Sequence, residues 1–234
     1  MSAYTFVVEK TCPICGKSTR VIKTKSRLVT LKTDEDYCVH YKDFNPYYYR
    51  VWFCEHCGFA ADERTFLTKM PERHQKKIAA FLAGRNLSMD FTEERGLPEA
   101  IASFKLAIFF MDLIEAPLSK RAGLYLGLAW IYRSAEDEEN EAEYMQKAAE
   151  TYSRSIMTEH YPVGNLTDTA VVYLVGAIYY RLGDLEKCAQ YLSRIIGNQD
   201  IRRQEPKIFD KARDLWSDVR IKREEEKNSS KAKK

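Results

Sequence analysis

A chain of 234 residues that is 45% hydrophobic and 30% charged is long enough for an ordinary core and has the composition of a globular protein. Its formal net charge of +3, from 37 basic and 34 acidic residues, is too small to imply a polyanionic partner. No apolar run approaches the roughly 18 residues of a membrane span, and residues 1–10 lack the basic start and apolar core of a signal peptide, so a cytoplasmic protein without a membrane partner is expected.

In chain order, residues 4–8, 20–24, 27–31 and 47–53 are rich in β-branched and aromatic side chains and read as strands. Near residue 66 the period becomes helical. Pro71 suits a helix start, and Ile78, Phe81 and Leu82 give the spacing of a buried stripe. Further helices are expected around 101–114, 124–132, 144–157, 170–180, 188–196 and 206–223, with Thr167 or Asn165 as a cap. Residues 224–234 hold charges and serines without large apolar groups and read as a disordered tail. The fold class is α+β and mainly α: a small ribbon-like β domain at 1–66, a helical domain at 67–223, then the tail.

The helical part carries a weak internal repeat. Val175-Gly176 with Tyr179, Gly183-Asp184, Cys188 and Leu192 resembles the small-and-large pattern of a tetratricopeptide repeat, in which a small residue lets paired helices approach and glycine makes the turn. Leu126-Gly127 with Trp130, Ala142 and Ala149 repeats it, and Ala100, Phe104 and Ala107 resemble the second helix of a further unit. A short array of helix pairs is the reading, with a plain bundle as the alternative.

Chemistry concentrates in two matched knuckles, Cys12-Pro13-Ile14-Cys15-Gly16 and Cys54-Glu55-His56-Cys57-Gly58. Each spacing lets two thiolates face one ion, and the glycine permits the left-handed turn that follows. Without export thiols stay reduced, so Cys12, Cys15, Cys54 and Cys57 read as four soft ligands of a structural zinc ion. Four thiolates close a tetrahedral site and leave no position for catalytic water. The long separation between the knuckles requires an insertion to loop out, and Cys38 and His40 within it are candidate substitute ligands. His56 is expected to face solvent or a backbone acceptor.

The succession of Cys-Pro-x-Cys-Gly, Asp34, Asp36, Tyr41, Pro46, Tyr49 and Cys54-x-x-Cys57-Gly58 resembles a bacterial family of uncharacterised proteins. Its members are described as a domain of unknown function whose cysteine-rich start leads into helices resembling tetratricopeptide repeats. The resemblance implies a bacterial cytoplasmic protein with zinc-like ligation at the four cysteines, and it supplies no activity.

Two surfaces remain. Lys10, Lys17, Arg20, Lys23, Lys25, Arg27 and Lys32 precede a run of aromatics from Tyr41 to Phe53. Cations beside rings suit single-stranded nucleic acid, with Arg20, Lys23 and Arg27 as the contacts; the bland reading is a solvated face over a small aromatic core. In stacked helix pairs the first helix of each unit lines a groove, and Tyr125, Trp130 and Tyr173 would face a protein or peptide there. No phosphate-binding loop, zinc-protease helix, nucleophile elbow or dinucleotide fingerprint occurs. The sequence thus reads as a non-enzymatic zinc-binding adaptor, with a nucleic-acid-binding module as the alternative and the oligomeric state open.

Overall fold

The computed structural model describes residues 3–85 and 94–232, with side chains described to residue 228. It is mainly helical, with a small N-terminal β region followed by a helical array. Strand β1 (Thr5–Thr11) pairs antiparallel with β2 (Ser18–Thr24) in unbroken register, from Thr5 opposite Thr24 to Thr11 opposite Ser18. Strand β3 (Thr30–Thr33) pairs with β4 (Val39–Tyr41) through an irregularity between Thr30 and Lys32, and β5 (Val51–Phe53) pairs with β6 (Ala60–Asp62).

The strand expected over 47–53 divides in two. Pro46–Tyr49 forms a 3-10 turn, because Pro46 presets the helical φ and the Asn45 side chain accepts a hydrogen bond from the Tyr47 amide. Only Val51–Phe53 then continues as strand, and all of it is buried. The strand expected over 27–31 begins later, at Thr30.

The helices are α1 (Glu63–Leu67), α2 (Glu72–Leu82), α3 (Leu97–Leu113), α4 (Leu118–Ser134), α5 (Glu138–Thr158), α6 (Asp168–Arg181), α7 (Leu185–Ile196), α8 (Gln199–Gln204) and α9 (Pro206–Ala232). Pro71 is the residue before α2, and Thr167 is the cap of α6, accepting from the Ala170 amide at 3.1 Å. Residues 224–232 of the tail expected to lack structure are helical instead, since α9 runs to Ala232, and residues 233–234 lie outside the described residues. Residues 224–232 are Glu, Lys, Asn, Ser and Ala without glycine or proline, so nothing in them breaks the helix that enters from Arg223.

Contacts divide the chain into two units. The first comprises Met1–Thr33 and Val39–Tyr144, the second Asp34–Cys38 and Met145–Lys234. The change from strand to helix texture near residue 66 therefore falls inside the first unit. There, α3 buries Ala100, Ser103, Phe104, Ala107, Phe110 and Met111, one face of a 3.6-residue period. That face packs on β5, β6 and the 3-10 turn, and α4 packs on α3. Phe110 lies 5.4 Å from the Phe59 ring, and Trp52 meets Phe66 edge-on at 5.8 Å. The knuckle cysteines Cys12 and Cys54 belong to the same apolar cluster, so this core continues into the ribbon. Arg95 is buried against it and donates to the carbonyls of Tyr48 and Val51, while its amide donates to the Tyr49 hydroxyl.

In the second unit, α6 is buried on all sides from Thr169 to Tyr179 and packs against α7 and α9. Gly176 permits the close approach: a Cβ there would meet Leu192 at 3.2 Å. Gly183 turns the chain at φ +78°, and Asp184 caps α7 by accepting from the Lys187 amide. From α9, Phe209, Ala212, Leu215 and Val219 are buried.

Candidate metal centre

Each knuckle sits in the turn of its own hairpin. Thr11 opposite Ser18 closes the first, and Phe53 opposite Ala60 closes the second. The two turns are built alike. Gly16 and Gly58 have φ of +71° and +81°, and their amides donate to the Cys12 and Cys54 carbonyls at 3.0 and 2.9 Å. The Cys12 and Cys54 amides in turn donate to the carbonyls of Lys17 and Phe59. A Cβ on Gly16 would meet nothing within 4 Å, so the left-handed backbone alone calls for glycine there.

This repeated geometry brings the four sulfurs together. Cys12 lies 3.7 Å from Cys57 and Cys15 lies 3.7 Å from Cys54, and all four atoms fall within 4.8 Å of one another. A disulfide needs about 2.05 Å, and all four thiols are free. A tetrahedron with metal–sulfur bonds of about 2.3 Å has edges of about 3.8 Å. The donor set and its spacing therefore fit a tetrahedral thiolate-bound ion, and the group contains neither Cys38 nor His40.

The electrostatics point the same way. Four thiols about one point cannot all ionise. Cys54 is held far below the ordinary thiol value by hydrogen bonds from Cys12 and Cys57. Cys12 is pushed up to about 12 by keeping its proton against Cys54, and Cys57 is pushed up by its contacts with Cys12 and then Cys54. A cation at the centre would replace those shared protons.

A second layer holds the knuckles in place. His56 donates from Nε2 to the Ser18 carbonyl at 2.7 Å, so it serves the backbone as expected. Glu55 accepts from the Arg20 amide and from its guanidinium, both at 3.2 Å, and its own amide donates to Thr19 Oγ1, a buried hydroxyl. The Arg20 amide and guanidinium hold the Glu55 carboxyl below the usual carboxylate range. The first three residues of β2 thus hold the second knuckle.

The other candidate residues are distributed differently. Arg20 is committed to Glu55, and Lys23 pairs with Glu63 at 2.7 Å while lying 5.7 Å from the Trp52 ring centre. Arg27 is exposed. Two of the three cations chosen for nucleic acid thus already face carboxylates. Tyr125 and Trp130 are half-buried on α4 in the first unit, where Tyr47 covers Trp130 with ring centres 5.2 Å apart. Tyr173 belongs to the second unit and is 2% exposed, packed against Tyr37 with Lys211 over the Tyr37 ring. Its expected place in a binding groove is corrected: α6 is apolar on every side, so this ring fills a core. Arg50 went unnoticed in the sequence. It lies over the Trp130 ring at 5.9 Å, and only the packing of the 3-10 turn on α4 could reveal it.

Among the described residues no helix is long and apolar enough to cross a membrane. The family model described as "Uncharacterized protein conserved in bacteria (DUF2225)" matches residues 6–219, which includes both knuckles and most of the helices. No curated protein and no solved structure matches the chain.

Proposed function

We propose that this chain, which belongs to the bacterial DUF2225 family, is a non-enzymatic cytoplasmic adaptor in which a structural zinc ribbon supports a tetratricopeptide-like helical array that docks a protein or peptide. The single observation that carries this reading is the four-sulfur arrangement with 3.7 Å edges. Four thiolates would fill every position of a tetrahedral zinc ion and leave none for water or substrate, so the ion would serve the fold. Burial of Cys12 and Cys54 within the apolar cluster ties that staple to the packing of α3 and α4. A ribbon of short two-stranded pairs has little core of its own and gains most from such a staple.

Partner docking is assigned to the half-buried rings of α4, Tyr125 and Trp130. Helical arrays offer peptides such aromatic faces, and Tyr125 stands beside Tyr144 with ring centres 6.4 Å apart. The test is affinity capture of partners by the full chain and by a Tyr125→Ala variant. The reading expects loss of a captured protein at unchanged helicity and zinc content; identical capture by both would contradict it.

A further inference from the structure

The insertion between the knuckles builds a cleft of about 390 Å³ on the first unit, and nothing in the zinc or docking account uses it. Its volume lies in the range of about 300–1,000 Å³ typical of small-molecule sites. The walls come from separate elements: Lys23 from β2, Tyr41 from β4, Tyr47 and Arg50 from and after the 3-10 turn, and Glu63 and Arg64 from α1.

The charges in this cleft are unevenly satisfied. Glu63 is taken by Lys23 at 2.7 Å. Asp62, also on the wall, is taken by Thr65, accepting from its amide at 3.1 Å and from its hydroxyl at 2.7 Å. Both carboxylates are thus engaged by the protein itself. Arg50 and Arg64 are exposed, and among the described residues neither forms an ion pair. Two guanidiniums at one cleft, with the local acids occupied, suit an anion that accepts from planar forks.

The aromatic side of the cleft is held in position. Tyr47 is fixed by its hydroxyl, which accepts from the Val39 amide at 2.8 Å, and Tyr41 meets it edge-on at 6.0 Å. Arg50 is seated as well. It lies over Trp130, and a Cβ on Gly127 would stand 3.1 Å from its Nη1, so the glycine leaves room for the guanidinium. A ligand that fits must offer an anionic group to the arginines and a flat ring to the tyrosines.

We infer that this cleft binds a nucleoside monophosphate, its phosphate between Arg50 and Arg64 and its base against Tyr41 and Tyr47. Arginine matches a phosphate with paired hydrogen bonds, and a heteroaromatic base stacks on tyrosine with little regard to its identity. The site shares only Lys23 with the basic strand face, since Arg20 and Arg27 do not line it, and Lys23 is paired with Glu63.

Calorimetric titration of the zinc-replete full chain with AMP, adenosine and inorganic phosphate tests this. AMP is expected to bind saturably at one site per chain and more tightly than either fragment. Arg50→Ala and Arg64→Ala should each weaken AMP about tenfold or more, whereas Arg27→Ala should leave it unchanged. Tyr41→Leu should lower the preference for AMP over phosphate while phosphate binding persists. Circular dichroism and zinc content identify any variant that has lost its fold, and the unaltered chain provides a test independent of folding. Absence of saturable AMP binding by that chain, or binding unaltered in both arginine variants, would overturn the assignment.

Discussion

At the scale of single residues, Arg133 and Glu141 form a buried ion pair. Arg133 Nε donates to Glu141 Oε1 at 2.7 Å, and both side chains are almost wholly buried. Removing one partner takes a close ion-pair contact away from a buried charge, at a cost of about 3–5 kcal/mol. Arg133→Ala should therefore lower the denaturation midpoint strongly. Replacing both partners by apolar residues should cost less than the single change, and an equal or larger loss would show that the pair itself stabilises the fold. Gly127 makes a second case. A Cβ there would stand 2.6 Å from Phe104, whose ring is fully buried, so Gly127→Ala should destabilise by about 1–3 kcal/mol through overpacking. A neutral effect in urea denaturation would mean that Phe104 can yield.

At the scale of elements, caps decide where several helices begin, and one gives a pH dependence. Asp184 starts α7, and the Lys187 ammonium, followed by the Lys187 amide, holds its carboxyl below the ordinary value. A depressed folded pKa means that the charged cap stabilises above the unfolded pKa, and that this contribution disappears as pH falls through the folded value. Asp184→Ala should cost about 0.5–2 kcal/mol at neutral pH. The gap between the variant and the parent chain should narrow on acidification; a gap independent of pH would remove the charge from the explanation.

The same scale shows what the sequence makes legible. Matched C-x-x-C-Gly knuckles are local signals, and both appear as hairpin turns because cysteine spacing and left-handed glycine act within a few residues. Helix α7 follows its apolar period, while α4 and α6 show as long apolar runs without a polar face. The 3-10 turn at Pro46–Tyr49 was hidden because its tyrosines have strand propensity, while one asparagine and one proline set the backbone. Strand β6 was hidden because Ala60 and Ala61 have no β preference and pair only because β5 lies beside them. Tyr173 misled for a related reason: a ring on a helix carries no mark of which side becomes core. The cleft around Arg50 and Arg64 joins residues from distant parts of the chain, so spacing along the sequence could not reveal it.

At the scale of the whole molecule, two contact units share one chain, and the knuckles belong to the first. That unit's core runs from Cys12 and Cys54 through Trp52, Phe59 and Phe110 to Leu128 and Ile131. On this account, stripping the ion should loosen the hairpins and the α3 face together, because they share buried side chains. Metal uptake should release protons, since Cys12 and Cys57 hold theirs tightly in the metal-free arrangement. A pH-indicator titration with zinc should register that release, and uptake without protons would contradict the shared-proton arrangement of the four thiols.

The most direct test is X-ray absorption with metal quantitation on the full chain purified without added metal. The account predicts one zinc per chain with four sulfur neighbours at about 2.3 Å and no nitrogen or oxygen in the shell. A metal-free chain with the same fold and stability, or an ion bound with an open position, would contradict it.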